Sequence, residues 1–274
     1  MNGGFKEVST IQKAVVERLV ALGWTHVPGD QLDRTIDGVF IESEVTAALV
    51  RLNPMIAEQP ERVDEVLPRL RVAALASVNE GLIASNERMT TWLRGHQTQK
   101  FLDTETYESV RLIDFDDLSN NRFFVSGPGF DHDEISAEVT YGHGPKARRF
   151  DVVLWVNGLP LVVGETKSPV RQSESWLNAA KDIHDVYEVE CATFFAPNLL
   201  SFATDGREFH YGAIGQPVAE WLMWGATTDP FDLEGGARVM RSVELLLTPA
   251  SVLSILRDFT LFDRPVIDGR PTRI

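Results

Sequence analysis

The chain has 274 residues, 43% of them hydrophobic, with 26 Lys and Arg against 40 Asp and Glu for a net charge of −14. That composition fits a folded chain with a sizeable core rather than a disordered tail. With one cysteine, no run of about 18 apolar residues and no apolar leader in MNGGFKEVST, it predicts neither disulfides, a membrane span nor a secretory signal, and so a cytoplasmic protein. The acidic balance argues against a free-standing DNA binder, because phosphate neutralisation supplies most non-specific affinity.

The first hundred residues read as helical. Apolar residues recur at helical spacing over 8–22, and Gly23 ends the run. A second helix is expected from Ile41 to Leu52, stopped by Asn53-Pro54, and one or two more over 61–94, with Pro68 a start or kink. Strands follow: residues 110–115, then 122–126, with an irregular excursion over 127–147 that contains Asp131-His132-Asp133. Two apolar β-branched runs flank Asn157-Gly158 and predict a hairpin. A helix is expected over 173–189, a buried strand over 191–197, and a hairpin turning at Asp205-Gly206. Thr248-Pro249 is an N-cap and first-turn pair for a last helix reaching about Asp258.

The chemistry-bearing residues stand in the central hairpin. Side chains alternate along a strand, so Glu165 and Lys167 share a face, and Asp151 opens the partner strand. Three charges among strands this apolar are costly unless something pairs or coordinates them. A divalent cation held by the two carboxylates resolves the conflict, and magnesium suits oxygen ligands with water. The main-chain carbonyl of Thr166 is a further candidate ligand, and Lys167 would orient the attacking water or stabilise the transition state. The bare spacing is also compatible with a structural ion network at a sheet end.

Parity sharpens the question. A regular two-residue loop at Asn157-Gly158 would set Asp151 opposite Gly164 and turn Glu165 to the other face. Metal binding by both carboxylates therefore requires an odd loop or a bulge; a three-residue turn is the simpler expectation, and Pro160 fits a disturbed ladder.

The stretch RRFDVVLWVNGLPLVVGETKSPV (148–170) resembles the nuclease motif of the motor (R) subunits of type I restriction enzymes, within the PD-(D/E)xK nuclease superfamily. LVRLNP (49–54) and residues 110–125, 194–212 and 253–263 are similar to the amino-terminal region of the same family. The resemblance implies an α/β (α+β) fold, a restriction-endonuclease-like mixed sheet flanked by helices with a helical amino-terminal part. It implies a helical part over 1–100, a nuclease core over 101–247, and a carboxy-terminal helix and linker over 248–274 leading toward a motor. The implied activity is Mg2+-dependent cleavage of double-stranded DNA, with Asp151, Glu165 and Lys167 catalytic and Asp151, Glu165 and Thr166 at the metal. A module that docks without cutting is the alternative. The implied partners are DNA, the methyltransferase and specificity subunits, and a carboxy-terminal helicase/translocase; ATP would act only there, because no Gly-x-x-x-x-Gly-Lys-Ser/Thr loop occurs in this sequence.

Two departures stand out. Phe150 replaces the family's proline before the Asp, and the family's Gln-x-x-x-Tyr helix motif is incomplete: Tyr187 is present, but Ile183 stands four residues before it, leaving Lys181, Asp182 and His184 as polar candidates. Related nucleases place an acidic residue in the first helix; Gln12 is the candidate here, with an ordinary core-edge glutamine as the alternative. Lys146, Arg148 and Arg149 are candidates for phosphate contact, with solvated strand-edge charges as the alternative.

Overall fold

The computed structural model describes residues 8–129, 137–168, 174–224 and 234–262, with short strands at 266–267 and 270–271. Asp131, His132 and Asp133 lie outside the described residues. Seven strands make one mixed sheet whose spatial order follows the chain. They are β1 (Thr25–His26), β2 (Phe123–Ser126), β3 (Val152–Val156), β4 (Leu159–Thr166), β5 (Leu200–Thr204), β6 (Phe209–Ala213) and β7 (Leu222–Met223). The pairs β1/β2 and β4/β5 are parallel and the other neighbours antiparallel. Helices α1 (Val8–Ala21), α2 (Glu42–Leu52), α3 (Val63–Leu75) and α4 (Leu82–Leu93) form the helical amino-terminal part, which also contributes β1. After the hairpin come α5 (Trp176–Lys181), α6 (Gly235–Leu246) and α7 (Pro249–Ser254). Thr248 caps α7 by accepting from the Ser251 N–H at 3.0 Å. No single helix among the described residues is long and apolar enough to cross a membrane.

The sheet is buried on both faces, which explains its unbroken apolar strands. Val152, Leu154 and Val156 enter one core with residues of α1 to α4, α6 and α7. Val153 and Trp155 enter a second core with Phe150, Ala179, Ile183, Phe194 and Phe195.

The central hairpin has a two-residue loop, with Asn157 at φ 50° and Gly158 at φ 81°, the backbone of a primed turn. The three-residue turn expected above is therefore not what forms. Parity is restored inside β4 instead: Val156 pairs with Leu159 and Trp155 with Pro160, then the register shifts so that Leu154 pairs with Val162 and Val152 with Gly164. Leu161 is the extra residue, and Leu161 and Val162 both enter the first core although they are sequential. The bulge falls next to Pro160, which has no N–H to give the ladder. The ladder ends at Val152 and Gly164; carried one position further, the same parity would set Asp151, in the bend before β3, opposite Glu165. Glu165 pairs with Ala203 of the second core across β4 and β5.

Two strands expected from the sequence are absent. Residues 110–115 bury Val110, Leu112 and Ile113 but have their backbone groups bonded by side-chain amides. Asn53 bonds the N–H and C=O of Arg111, Asn121 those of Asp114, and Asn157 the C=O of Leu112. Residues 191–197 instead contain a short helix, Ala192–Phe195. Cys191, Phe194 and Phe195, three and four apart, pack into the second core.

Candidate active site

Asp151 occupies the junction between the short strand Arg148–Phe150 and β3, half-buried. One carboxylate oxygen, Oδ2, accepts from both the Thr166 N–H at 2.8 Å and the Thr166 hydroxyl at 2.7 Å. The residue between Glu165 and Lys167 thus orients the carboxylate across the hairpin. Burial raises the Asp151 pKa, and the two Thr166 bonds and the Lys167 charge oppose that shift without cancelling it.

Glu165 is 5% exposed. Its Oε1 accepts from Lys167 Nζ at 2.9 Å, and its buried Oε2 has no hydrogen-bond partner among the described residues. Desolvation first and the Asp151 charge second push its pKa well up. Lys167 is gripped from a second side by Asp182 Oδ2 at 2.7 Å. Burial works against its ammonium, but Glu165 and Asp182 outweigh that and hold its pKa above the ordinary value.

Asp182 is the polar residue that the helix brings to the cluster. Residues Asp182–Tyr187 form a π turn. In an α-helix, residues five apart lie about 140° away from each other around the axis; the i→i+5 bonding of a π turn sets them nearly in line. Asp182 consequently reaches Lys167 while Tyr187, five residues on, faces the same charges. Burial, then Glu165, Asp151 and Asp182, push the Tyr187 phenol pKa up. Ile183 is buried in the second core, Lys181 is exposed, and the His184 ring is bonded to Asp185 at 2.8 Å.

Gln12 is 3% exposed on α1 and its amide nitrogen donates to the Asp151 main-chain oxygen at 3.0 Å and to Glu138 Oε1 at 3.2 Å. Glu138 was not singled out by the sequence, because it lies within the irregular stretch 127–147, where no periodicity marks its face. Of the basic cluster, Lys146 is exposed, Arg148 pairs with Glu190, and Arg149 Nε stands 3.8 Å from Glu138 Oε2.

Among the described residues, no group of three or more His, Cys, Asp or Glu side chains converges as a metal cage. What is present suits an open magnesium site: two neighbouring carboxylates, one with a buried oxygen that no described residue bonds, leaving most positions to water. Asp151, Glu165 and the Thr166 carbonyl are the residues that would hold the ion.

Residues 4–217 match the family model of the type I restriction enzyme R protein N terminus. The chain is 27% identical, over 270 aligned residues, to the HindI type I restriction enzyme endonuclease subunit of Haemophilus influenzae, covering 93% of this chain and 24% of that protein. It is 22% identical over 246 residues to the putative MjaIXP type I restriction enzyme endonuclease subunit of Methanocaldococcus jannaschii, covering 82% and 21%. The chain spans under a quarter of the length of these curated relatives.

Proposed function

The chain belongs to the amino-terminal family of type I restriction enzyme R proteins, and from that premise we propose that it is the Mg2+-dependent endonuclease domain of such a subunit. It would hydrolyse phosphodiester bonds of double-stranded DNA together with the methyltransferase and specificity subunits and an ATP-driven translocase. The observation that carries this reading is the bulged register. It supports the reading because, at the expense of a regular hairpin, it ends beside an Asp151 bonded across to Thr166 and a Lys167 paired with Glu165. A fold needing only a hydrophobic hairpin has no use for a buried carboxylate oxygen that none of the described residues bonds.

Magnesium at Asp151 and Glu165 would supply a water of lowered pKa and charge neutralisation at the scissile phosphate. The chain's own contributions are positional and electrostatic. Thr166 aims Asp151, while Glu165 and Asp182 fix the Lys167 ammonium so that it can donate to an attacking water or to the developing phosphate charge without reorganising.

The test is DNA cleavage by the assembled enzyme carrying Asp151→Ala, Glu165→Ala or Lys167→Ala, with circular dichroism to establish folding. Each variant should lose cleavage while remaining folded. Full cleavage by the Lys167→Ala enzyme would refute the assignment and leave the alternative, a docking module that does not cut.

A further inference from the structure

Beside the residues of the sequence motif stands another carboxylate, Glu138, whose side chain is only 13% exposed. Its place is set from α1. The single amide nitrogen of buried Gln12 carries two hydrogens, one for Glu138 Oε1 and one for the Asp151 main-chain oxygen. Glu138 is thereby tied to within about 6 Å of the Asp151 backbone, since two hydrogen bonds of ordinary length share one donor atom. Its ion-pair partner Arg149 is half exposed and stands at 3.8 Å, beyond hydrogen-bond range. Desolvation first, then the Asp151 charge, push the Glu138 pKa up to about 7.

The positive charges that act on both Glu138 and Asp151 are Arg149, which is half exposed, and Lys167, which is already held by Glu165 and Asp182, and they do not offset the cost of burying a second carboxylate here. The hydrogen bond to Gln12 does not account for the charge, because a neutral amide oxygen would accept it equally well. A second observation points the same way. Glu165, 5% exposed, is the other carboxylate neighbouring Asp151 and keeps a buried oxygen without a hydrogen-bond partner among the described residues. Asp151 thus has two buried acids as neighbours, Glu165 on the partner strand and Glu138 joined to its backbone through Gln12.

We propose that Glu138 is a cation-coordinating residue of this site, acting together with Asp151, and that Gln12 is the residue that positions it. The proposal rests on the metal-dependent nuclease reading and extends it to a carboxylate outside the motif. Three acidic side chains do not converge on one point among the described residues. Glu138 is therefore a partner of Asp151, with water completing the shell, and not the third wall of a closed cage.

The test is calorimetric titration of the 274-residue chain with MnCl2 and with CaCl2, comparing the wild type with Glu138→Gln, Glu165→Gln and Gln12→Ala. Glu138→Gln keeps an acceptor for Gln12 and removes only the charge. It should lower Mn2+ affinity by about tenfold or more, or abolish one of two binding events. Gln12→Ala should give a smaller loss. Without divalent ions Glu138→Gln should melt at or above the wild-type temperature, and the rise that Mn2+ gives the wild type should shrink. Unchanged Mn2+ affinity and stoichiometry in Glu138→Gln, with loss in Glu165→Gln, would overturn the proposal and leave the nuclease reading standing. Failure of the wild type to bind either ion at millimolar concentration would overturn both.

Discussion

Thr166→Val isolates the hydroxyl that aims Asp151. The side chain is 2% exposed and its Oγ1 donates to Asp151 Oδ2 at 2.7 Å. A hydrogen bond to a charged acceptor is worth about 1.5–3 kcal/mol. The added methyl returns something under about 0.8 kcal/mol of burial. The Thr166 N–H bond to the same oxygen survives, so the net loss should be about 1–2 kcal/mol. A double-mutant cycle with Asp151→Ala cancels the methyl contribution and should give a coupling of about 2 kcal/mol. Urea unfolding in EDTA measures both.

The pH dependence has a definite sign. The Asp151 pKa is raised by burial and held down by Thr166, so removing the hydroxyl raises it further. A carboxylate raised in the folded state loses stability as pH climbs from its unfolded value of 3.8 through its folded one. The Thr166→Val defect should therefore be largest above that window and smaller in acid, where only a neutral hydrogen bond is lost. In buffer with Mn2+, looser aim of Asp151 should lower cation affinity by about 10–100-fold. A coupling below about 0.5 kcal/mol, or a defect that does not grow with pH, would refute the reasoning.

Glu188→Gln tests a buried acid away from the hairpin. Glu188 is 6% exposed, accepts from the Gly215 N–H at 3.0 Å, and burial lifts its pKa from 4.5 to about 7. Stability is lost as pH rises across that window, so the variant should gain up to about 3 kcal/mol at alkaline pH and almost nothing in acid, read by urea unfolding. A gain independent of pH would contradict the burial argument. For DNA, fluorescence anisotropy should find the isolated chain binding duplex with a Kd on the order of 10⁻⁶ M or poorer at physiological salt; nanomolar, weakly salt-dependent binding would reveal a dedicated DNA site.

Elements with long or two-sided patterns were readable from the sequence: α1 to α4, the central hairpin, the β5/β6 hairpin and the capped α7 each fall where spacing and turn residues place them. The hairpin's parity problem was legible too, but its solution was not. A three-residue turn and a two-residue turn with a bulge satisfy the same pattern, and Asn157 and Gly158 both tolerate positive φ. Residues 110–115 misled because their bonding partners Asn53, Asn121 and Asn157 are remote in sequence or lie outside any strand. Residues 191–197 misled because a short apolar run has no decisive period. Spacing left Asp182 undecided among Lys181, Asp182 and His184. Counting four residues back from Tyr187 finds Ile183, and only a π turn makes the fifth residue the relevant one.

The charge of the chain and the construction of the site bear on each other. Asp151, Glu165, Glu138 and Asp182 oppose Lys167 and Arg149, so the fully ionised cluster is short of positive charge by the equivalent of one divalent ion. Such an ion would bring the cluster only to neutrality. Lys167 already gives two of its donors to carboxylates, and it sits in a chain whose net charge is −14. Nothing in that balance attracts a polyanion at long range, where unpaired charge sets the rate of encounter. On the nuclease reading the site is therefore built to act on a phosphate delivered to it, not to capture one. The same acidity that argues against an independent DNA binder is what would keep a metal-loaded nuclease from cutting duplex that the rest of the assembly has not placed there.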